Sequence, residues 1–221
     1  MKNIKGVIFD VDGVIFDTER MSSTFWTKTM AKYGYKMDDS IYTQVMGRNR
    51  TGLIKGLEEI YNDSSIDFDS ISREKTAAMV AKLDSSPIPV LPGVYEIVDY
   101  LEKNGYKRAI ATSTREDRSV DRLKRTNLYD RFQGYMYGDW VEHSKPNPEI
   151  FLKAAEQLGL EPKECLILED SPSGVEAAYN GGFPCINVVD FKQPTEAMKN
   201  QSIARCDGLL EVIDWLEKNN K

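Results

Sequence analysis

The sequence predicts an α/β fold, in which helices cover a parallel sheet, with a helical insertion after the first strand. Three observations lead to this prediction. Short apolar runs alternate with amphipathic helical patterns along most of the chain. Residues 17–87 break this alternation, since they carry helical patterns and no clear strand. The serines and prolines of residues 85–89 then form a linker back to the alternating part.

The predicted strands are four short apolar runs. They cover residues 7–9, 109–111, 165–168 and 185–189. Continuous apolar runs of this length are typical of parallel strands that are buried on both faces. Amphipathic helices are predicted in the same part of the chain, over residues 94–101, 150–158 and 209–216. Strands and helices that alternate in this way form a parallel sheet with right-handed crossovers.

The insertion contains three further apolar stripes at helical spacing. They fall within residues 21–33, 53–60 and 71–83. We interpret residues 17–87 as a separate helical domain, and we assign residues 1–16 and 88–221 to the sheet domain. The alternative is that these helices simply pack on one face of the sheet.

Composition excludes several classes of protein. The chain has 221 residues, 41% of them hydrophobic, and a net charge of −6, which is typical of a globular protein and disfavours nucleic acid as the main partner. No uncharged apolar stretch is long enough for a transmembrane helix, and the first strand follows Met1 closely, so we expect a cytoplasmic protein without a membrane partner. The single histidine, His143, excludes mechanisms that need paired histidines. Three cysteines without a C-x-x-C pair support neither a disulfide framework nor a zinc site.

Polar side chains follow three of the predicted strands. Asp10 and Asp12 come after the first strand, Thr112 follows the second, and Glu169 and Asp170 follow the third. Ligands of parallel α/β sheets bind beyond the carboxyl ends of the strands, so we expect these five residues to surround one crevice. Each motif alone has an ordinary explanation as a turn, a polar loop or a helix start. Their coincidence at three strand ends indicates a functional site.

The carboxylates of this crevice indicate a metal ion. Carboxylates that lie close together repel one another, and a divalent cation removes the repulsion. Because no histidine or cysteine accompanies them, the oxygen ligands favour a hard ion, and Mg²⁺ suits one or two carboxylates together with waters and a phosphate group. Lys145 lies in a loop that two prolines fix before a helix. Its ammonium group suits a phosphate or an anionic nucleophile, unless it is an ordinary surface lysine.

In combination, these segments resemble the four motifs of the haloacid dehalogenase superfamily. The resemblance is carried by residues 9–14, Thr112, residues 145–146 and residues 169–174. The helical insertion after the first motif is similar to the cap of the phosphatase and β-phosphoglucomutase branch. The resemblance implies a Rossmann-like parallel-sheet core with an inserted all-helical cap domain, and phosphoryl transfer with Mg²⁺ as the cofactor.

The resemblance also implies catalytic roles. Asp10 is expected to attack phosphorus and form an aspartyl phosphate. Asp12 is expected to protonate the leaving oxygen as a general acid and then to activate water as a general base. Lys145 is expected to offset charge on the nucleophile and on the transferring group.

Two sets of binding residues follow from the same resemblance. The phosphoryl oxygens are expected to be held by Thr112 and by the backbone N–H groups of Val11 and Ser113. The expected metal ligands are Asp10, Asp12 through its backbone carbonyl, Glu169 and Asp170.

The insertion bears on the choice between a phosphatase and a mutase. Residues 46–50 resemble the cap loop of β-phosphoglucomutases and related sugar phosphatases, which makes Gly47 and Arg50 candidate substrate-binding residues. Arg50 suits a second phosphate group, or it is a solvated arginine at a helix start. The resembling mutases carry a histidine where this chain has Ser22 and a lysine where it has Met46, and neither Ser22 nor Met46 supplies the missing charge.

The function expected from these observations is a Mg²⁺-dependent phosphatase that acts on a small phosphorylated metabolite, with a sugar phosphate as the favoured substrate. The alternatives are a β-phosphoglucomutase-like mutase, a non-enzymatic protein that binds a phosphorylated ligand, and a receiver-like signalling module. The helical insertion and the second aspartate, Asp12, disfavour the signalling module. A protein that only binds does not need a nucleophile and an acid at this spacing. The basic run of Arg122, Lys124 and Arg125 is interpreted as the solvated face of a helix, and His143 as a surface residue.

Overall fold

The structure is a computed structural model, which describes residues 4–46, 50–63, 65–189, 191 and 193–220. The chain divides into two units. Unit 1 comprises Met1–Asp17 together with Ile88–Lys221, and unit 2 comprises Thr18–Pro87. The interpretation of residues 17–87 as a cap domain stays a prediction.

Within the described residues, unit 1 is built on a six-stranded sheet. The strands are β1 Gly6–Phe9, β2 Lys107–Ala111, β3 Gly134–Met136, β4 Cys165–Glu169, β5 Cys185–Val188 and β6 Ala204–Cys206. Their order in the sheet is β3-β2-β1-β4-β5-β6, and every neighbouring pair is parallel. The α/β class with a parallel sheet is therefore confirmed.

The four predicted apolar runs form the central strands β1, β2, β4 and β5. The edge strands β3 and β6 were not predicted. Each has only three residues, and two of the three residues of β6 are not buried. Segments this short do not carry a strand pattern of their own.

The described residues contain ten α-helices. Those of unit 2 are α1 Thr18–Lys32, α2 Asp39–Val45, α3 Arg50–Tyr61 and α4 Phe68–Ser85. Those of unit 1 are α5 Val94–Lys103, α6 Glu116–Arg125, α7 Glu149–Leu158, α8 Pro172–Asn180, α9 Glu196–Gln201 and α10 Leu209–Asn219. None of the helices in the described ranges is long and apolar enough to cross a membrane.

Helices cover both faces of the sheet. Successive residues of β1 point to opposite faces, so Val7 and Phe9 belong to one apolar cluster and Ile8 belongs to the other. The first cluster contains buried residues of α5 and α10, and the second contains buried residues of α7 and α8. Because both faces are covered, the central strands are continuous apolar runs. Their carboxyl ends meet at one edge of the sheet, where polar loops follow them.

Unit 2 is made of the helices α1 to α4 and their connections. Its fully buried side chains include Trp26, Met30, Met37, Leu57, Phe68 and Leu83. The helix α2 was not predicted, because only two of its seven residues, Tyr42 and Val45, are buried. Asp38 caps this helix, since its side chain accepts a hydrogen bond from the backbone N–H of Ile41 at 3.2 Å.

The chain leaves and re-enters unit 1 at adjacent positions. Phe16 and Val90 form an antiparallel bridge. The backbone N–H of Asp17 donates to the carbonyl of Pro89 at 2.9 Å, and that of Leu91 donates to the carbonyl of Ile15 at 2.9 Å. The first motif is therefore anchored to the segment that returns from unit 2.

Candidate active site

Asp10 follows β1 directly at the carboxyl edge of the sheet. Its backbone N–H donates a hydrogen bond to the carbonyl of Leu168 in β4 at 3.0 Å, so it extends the sheet by one residue. Gly13, in the loop that follows, has a φ of +85°, a left-handed conformation that glycine adopts without strain. A Cβ at Gly13 would overlap the carboxylate of Asp170. The glycine therefore lets Asp170 lie against the loop that carries Asp10 and Asp12.

A buried lysine bridges two buried carboxylates at the centre of the site. Nζ of Lys145 lies 2.5 Å from Oδ1 of Asp10 and 2.7 Å from Oε1 of Glu169. It also donates to the carbonyl of Ala111, the last residue of β2, at 3.3 Å. Only 4% of the lysine side chain is exposed, and Nζ lies 4.8 Å from the ring centroid of Phe151. The ends of β1, β2 and β4 therefore meet at this ammonium group.

Burial controls the charges of this group. Burial raises the pKa of Asp10 to about 7, although Lys145 acts to lower it. Burial also disfavours the ammonium form of Lys145, but the charges of Asp10 and Glu169 outweigh that effect and raise the pKa of Lys145 above its ordinary value. Two carboxylates and one ammonium group leave excess negative charge in a place with little water. The group therefore favours a further cation.

The start of α8 fixes the carboxylate of Glu169. Its Oε2 accepts hydrogen bonds from the backbone N–H of Ser171 at 2.7 Å and from Oγ of Ser171 at 3.0 Å. Oγ of Ser171 accepts in turn from the N–H of Gly174 at 3.1 Å and caps the helix. A Cβ at Gly174 would overlap Oε1 of Glu169. Lys145 and Ser171 together engage both carboxylate oxygens of Glu169.

Asp12 is held by two side chains that the sequence analysis did not assign to the site. Oγ1 of Thr114 donates to Oδ2 of Asp12 at 2.6 Å. A guanidinium N–H of Arg122, from α6, donates to Oδ1 of Asp12 at 3.2 Å. Both carboxylate oxygens of Asp12 are therefore hydrogen-bonded to unit 1.

Arg122 corrects the sequence analysis, which interpreted it as part of a solvated helix face. The buried residues of α6 are Ser119, Arg122 and Leu123, and only 10% of the Arg122 side chain is exposed. Arg122 and Leu123 follow Ser119 by three and four residues, which places all three on one face of the helix. This spacing was the signal in the sequence that could have indicated the burial of Arg122. Arginine is seldom buried without a partner, which is why the charge was taken as solvated. Arg125, by contrast, forms a more exposed pair with Asp121 at 3.0 Å.

Thr112 is buried at the end of β2. Its backbone N–H donates to the carbonyl of Met136 in β3 at 3.0 Å, and its Oγ1 accepts from the N–H of Thr114 at 3.0 Å. Ser113 is exposed, and its carbonyl packs against Gly138, where a Cβ would overlap it. The expectation that Thr112, Val11 and Ser113 hold phosphoryl oxygens stays a prediction.

Glu149 supports the loop that carries Lys145, and the sequence analysis missed it. Its two carboxylate oxygens accept the backbone N–H groups of Glu142 at 3.1 Å and of His143 at 2.9 Å. Lys153 lies one turn later in α7, with Nζ 2.6 Å from Oε1 of Glu149. The hydrogen bond from Lys153 and the two backbone N–H groups lower the pKa of Glu149 to about 2. Glu149 is an acidic residue in the first turn of α7, and this position was the signal in the sequence that could have indicated its role. His143 itself is exposed, as expected.

Unit 2 contains a buried polar cluster around Ser22. Nζ of Lys75 donates to Oγ of Ser22 at 2.6 Å. Oη of Tyr42 lies 2.8 Å from Oγ of Ser22 and 2.7 Å from Oε2 of Glu19. Ser22, Tyr42 and Lys75 are buried. Ser22 itself carries no charge, but Lys75 places an ammonium group directly on it.

Gly47 lies outside the described residues. Arg50 begins α3, but its side chain also lies outside them. The substrate-binding roles expected for both residues stay predictions.

The candidate metal ligands are oxygen atoms from the ends of β1 and β4. Within the part of the chain that the structure describes, no three His, Cys, Asp or Glu side chains are grouped so as to hold a metal ion by themselves. A site at this place would therefore combine one or two carboxylates with a backbone carbonyl, waters and a phosphate group, which is a typical environment for Mg²⁺.

Comparison with known proteins identifies related sequences. The model of the family described as haloacid dehalogenase-like hydrolase matches residues 7–188. A phosphorylated carbohydrates phosphatase of Thermotoga maritima is 33% identical over 181 residues, which cover 81% of this chain and 82% of that protein. The fructose-1-phosphate phosphatase YqaB of Escherichia coli is 30% identical over 185 residues, which cover 83% of this chain and 95% of that protein.

A solved structure shares the fold. A β-phosphoglucomutase from Clostridium difficile matches 97% of this chain and 96% of its own with a TM-score of 0.75. The two sequences are 22% identical, so this likeness supports the fold alone.

Proposed function

The chain belongs to the haloacid dehalogenase-like hydrolase family, and from this premise we propose that it is a Mg²⁺-dependent phosphatase that forms an aspartyl phosphate on Asp10. The observation that carries the proposal is the buried group of Asp10, Lys145 and Glu169, with Asp12 two residues after Asp10. A carboxylate held at a fixed place by a buried cation is suited to nucleophilic attack. A second carboxylate nearby is suited to proton transfer.

The donor atoms at this edge of the sheet fit Mg²⁺. The excess negative charge around Lys145 favours a cation, and the donors are hard oxygen atoms. We assign the ion to the carboxylates of Asp10 and Asp170 and to the backbone carbonyl of Asp12. We assign Glu169 to the orientation of Lys145, because its carboxylate oxygens are engaged by Lys145 and Ser171. When bound, Mg²⁺ would neutralise charge on Asp10 and on the phosphoryl group.

The first step transfers the phosphoryl group to the protein. A carboxylate oxygen of Asp10 attacks phosphorus, and the bond from phosphorus to the ester oxygen breaks. Asp12, in its acid form, gives its proton to that oxygen, so the product leaves as an alcohol. Lys145 offsets negative charge on Asp10 and on the transferring group.

The second step returns the protein to its starting state. Asp12, now a carboxylate, takes a proton from water as the water oxygen attacks the phosphorus of the aspartyl phosphate. The bond between phosphorus and Asp10 breaks, inorganic phosphate leaves, and Asp12 is again an acid. Both steps therefore depend on the placement of Asp12.

The proposed substrate is a small phosphorylated metabolite, with a sugar phosphate favoured. The two relatives named above are a phosphatase of phosphorylated carbohydrates and a fructose-1-phosphate phosphatase. In the proposal, unit 2 serves as the cap domain that selects the substrate, with Gly47 and Arg50 as the expected contacts. A cytoplasmic location, and the absence of nucleic acid and membrane partners, stay predictions from the sequence.

A β-phosphoglucomutase-like mutase is the second candidate. The observation in its favour is Lys75, which supplies a buried cation at Ser22, the position of the mutase histidine. Hydrolysis still leads, because Ser22 does not replace the imidazole of the mutase histidine, which is the side chain suited to take up and release a proton near neutral pH.

The experiment that tests this proposal is a phosphate-release screen with Mg²⁺. The panel contains hexose 1-phosphates, hexose 6-phosphates, fructose 1-phosphate, other small phosphate monoesters and p-nitrophenyl phosphate. We expect release from at least one sugar phosphate, loss of release in excess chelator, and recovery when Mg²⁺ is restored. A folded protein that releases phosphate from none of these esters would remove the proposal.

A further inference from the structure

The carboxylate of Asp12 lies between a hydroxyl and a guanidinium group. Thr114, two residues after Thr112, reaches Oδ2 at 2.6 Å. Arg122 lies in α6, eight residues after Thr114, and its guanidinium group donates to Oδ1 at 3.2 Å. The Asp12 side chain is 28% exposed, while that of Arg122 is only 10% exposed. The cation is thus the more deeply buried partner, and it approaches Asp12 from within unit 1.

We propose that Arg122 is a positioning residue for Asp12, a role that rests on the proposed phosphatase function. Arg122 holds one carboxylate oxygen and Thr114 holds the other, so the side chain of Asp12 keeps one orientation at the end of β1. A carboxyl group that must meet a leaving oxygen and later a water gains from such an orientation, because misplacement by about 1 Å can cost on the order of 100-fold in rate.

The geometry favours this role over a merely structural one. A buried guanidinium group needs an acceptor, and the acceptor in contact with the Arg122 guanidinium here is the proposed general acid rather than a carboxylate of α6 itself. Arg125 offers the contrast, since it pairs with Asp121 in the same helix at 3.0 Å. Arg122 has no carboxylate three or four residues away in its own helix. Arg122 instead spans 110 residues of sequence to reach Asp12.

The role predicts a dependence on the leaving group of the ester. An alkyl oxygen leaves with a proton from Asp12, whereas p-nitrophenolate leaves without one. Loss of Arg122 should therefore slow the transfer of the phosphoryl group to Asp10 for alkyl esters and spare it for p-nitrophenyl phosphate. A structural defect in α6 would lower the rates for all esters alike.

The test compares Arg122→Met with Arg125→Met, a matched loss of an arginine from the same helix. The probes are p-nitrophenyl phosphate, phenyl phosphate and glycerol 2-phosphate, with Mg²⁺. For Arg122→Met we expect kcat/KM to fall about tenfold or more for glycerol 2-phosphate and to change within about twofold for p-nitrophenyl phosphate. Because Asp12 also activates water, we expect a burst of p-nitrophenol before the steady state. Arg122→Lys should restore part of the loss, and Arg125→Met should match the unmodified protein.

A double-mutant comparison separates the two possible roles. If Arg122 acts through Asp12, then Arg122→Met should have no further effect in an Asp12→Asn background. If Arg122→Met does not fold, Thr114→Val removes the hydrogen bond from Oγ1 of Thr114 to the same carboxylate and carries the same expectation. Equal losses on all three esters, no loss, or additive effects with Asp12→Asn would overturn the inference. The proposed function would fail separately, if the unmodified protein hydrolysed none of the three esters.

Discussion

Lys145 is the single cation in contact with two buried carboxylates among the described residues, so its loss leaves both of them without a counter-charge. Asp10 and Glu169 lie 2.5 and 2.7 Å from its ammonium nitrogen. Removal of one partner from a buried ionic group is usually more harmful than removal of the whole group. The residue therefore serves the stability of the site as well as its chemistry.

Lys145→Met should lower kcat by on the order of 100-fold or more and should also lower the Tm. The reason is that methionine fills the space of the lysine stem but leaves the charges of Asp10 and Glu169 unbalanced. Lys199→Met is the control, because Lys199 forms an exposed pair with Glu196. Phosphate release and thermal unfolding measure the two effects. A Lys145→Met protein with full activity would contradict the role assigned to the lysine.

Gly174→Ala tests the packing around Glu169. In an ordinary helix this change stabilises by about 1 kcal/mol, but here the new Cβ would overlap Oε1 of Glu169. We therefore expect lower Tm and lower activity, because the displaced carboxylate moves Lys145. Gly208→Ala, at the residue before α10, is the control for a glycine-to-alanine change away from the site, since no atom lies within 4 Å of the position of its Cβ. An active Gly174→Ala protein with an unchanged Tm would show that this contact is not required.

Residues of the site differ in how far the sequence predicts them. Asp10 and Glu169 were expected at one place, because each follows a strand at the same sheet edge, and Lys145 was added to them by the family resemblance. Arg122 and Lys75 were missed, because each acquires its role only when its helix packs against another element. The spacing from Ser119 places Arg122 on one helix face, but the sequence alone does not show that this face is buried.

At the scale of elements, the site consists of loops at the carboxyl ends of strands, and Glu149 shows how one loop is held. It joins the first turn of α7 to two backbone N–H groups of the loop before Lys145. The contact stabilises the folded state only while Glu149 is ionised. Its ordinary pKa of 4.5 falls to about 2 in the folded protein. This stability is therefore complete above about pH 4.5 and is lost as the pH falls through about 2.

Glu149→Gln should lower the Tm at pH 7, and the difference from the unmodified protein should shrink as the pH falls from about 4.5 toward 2. It should also lower kcat, since the loop that carries Lys145 is less firmly held. Glu156→Gln, an exposed change later in the same helix, is the control. Thermal unfolding across this pH range is the measurement. A Tm difference that stayed constant down to pH 2 would contradict the contact.

The strands and the helix that the sequence did not predict were missed for the same physical reason, which is that they are short. The edge strands β3 and β6 have three residues each, and α2 has seven with two buried. Elements this short take their conformation from the neighbours to which they bind, and their own sequence carries too few apolar residues for a periodic pattern. The central strands were predictable because burial on both faces requires continuous apolar runs.

At the scale of the whole molecule, we expect the two units to have different functions. Unit 1 carries the groups that are proposed to transfer phosphate, and unit 2 carries the cluster of Ser22, Tyr42 and Lys75. The chemistry of phosphate release is therefore expected from unit 1, and the choice of substrate from unit 2. The choice between hydrolysis and isomerisation is expected to depend on both.

With glucose 1,6-bisphosphate supplied, we expect hydrolysis of a sugar phosphate to be faster than conversion of β-glucose 1-phosphate to glucose 6-phosphate. A mutase must keep water from its aspartyl phosphate until a second sugar phosphate binds. Ser22 does not supply the imidazole that the resembling mutases carry at this position for that step. Both products are measured on one preparation. Efficient isomerisation with negligible phosphate release would contradict this expectation and would favour the mutase function over the phosphatase function.

The most direct test of the central claim is chemical trapping of the aspartyl phosphate. The protein is mixed with Mg²⁺ and the best ester of the screen, quenched, and treated with borohydride, which reduces an acyl phosphate of aspartate to homoserine. Peptide mass spectrometry then locates the modified residue. We expect homoserine at position 10 only when ester and Mg²⁺ are both present, and we expect Asp10→Asn to lose both the label and phosphate release, by on the order of 1,000-fold or more for the release. An active protein with no label at Asp10, or an active Asp10→Asn variant, would contradict the account.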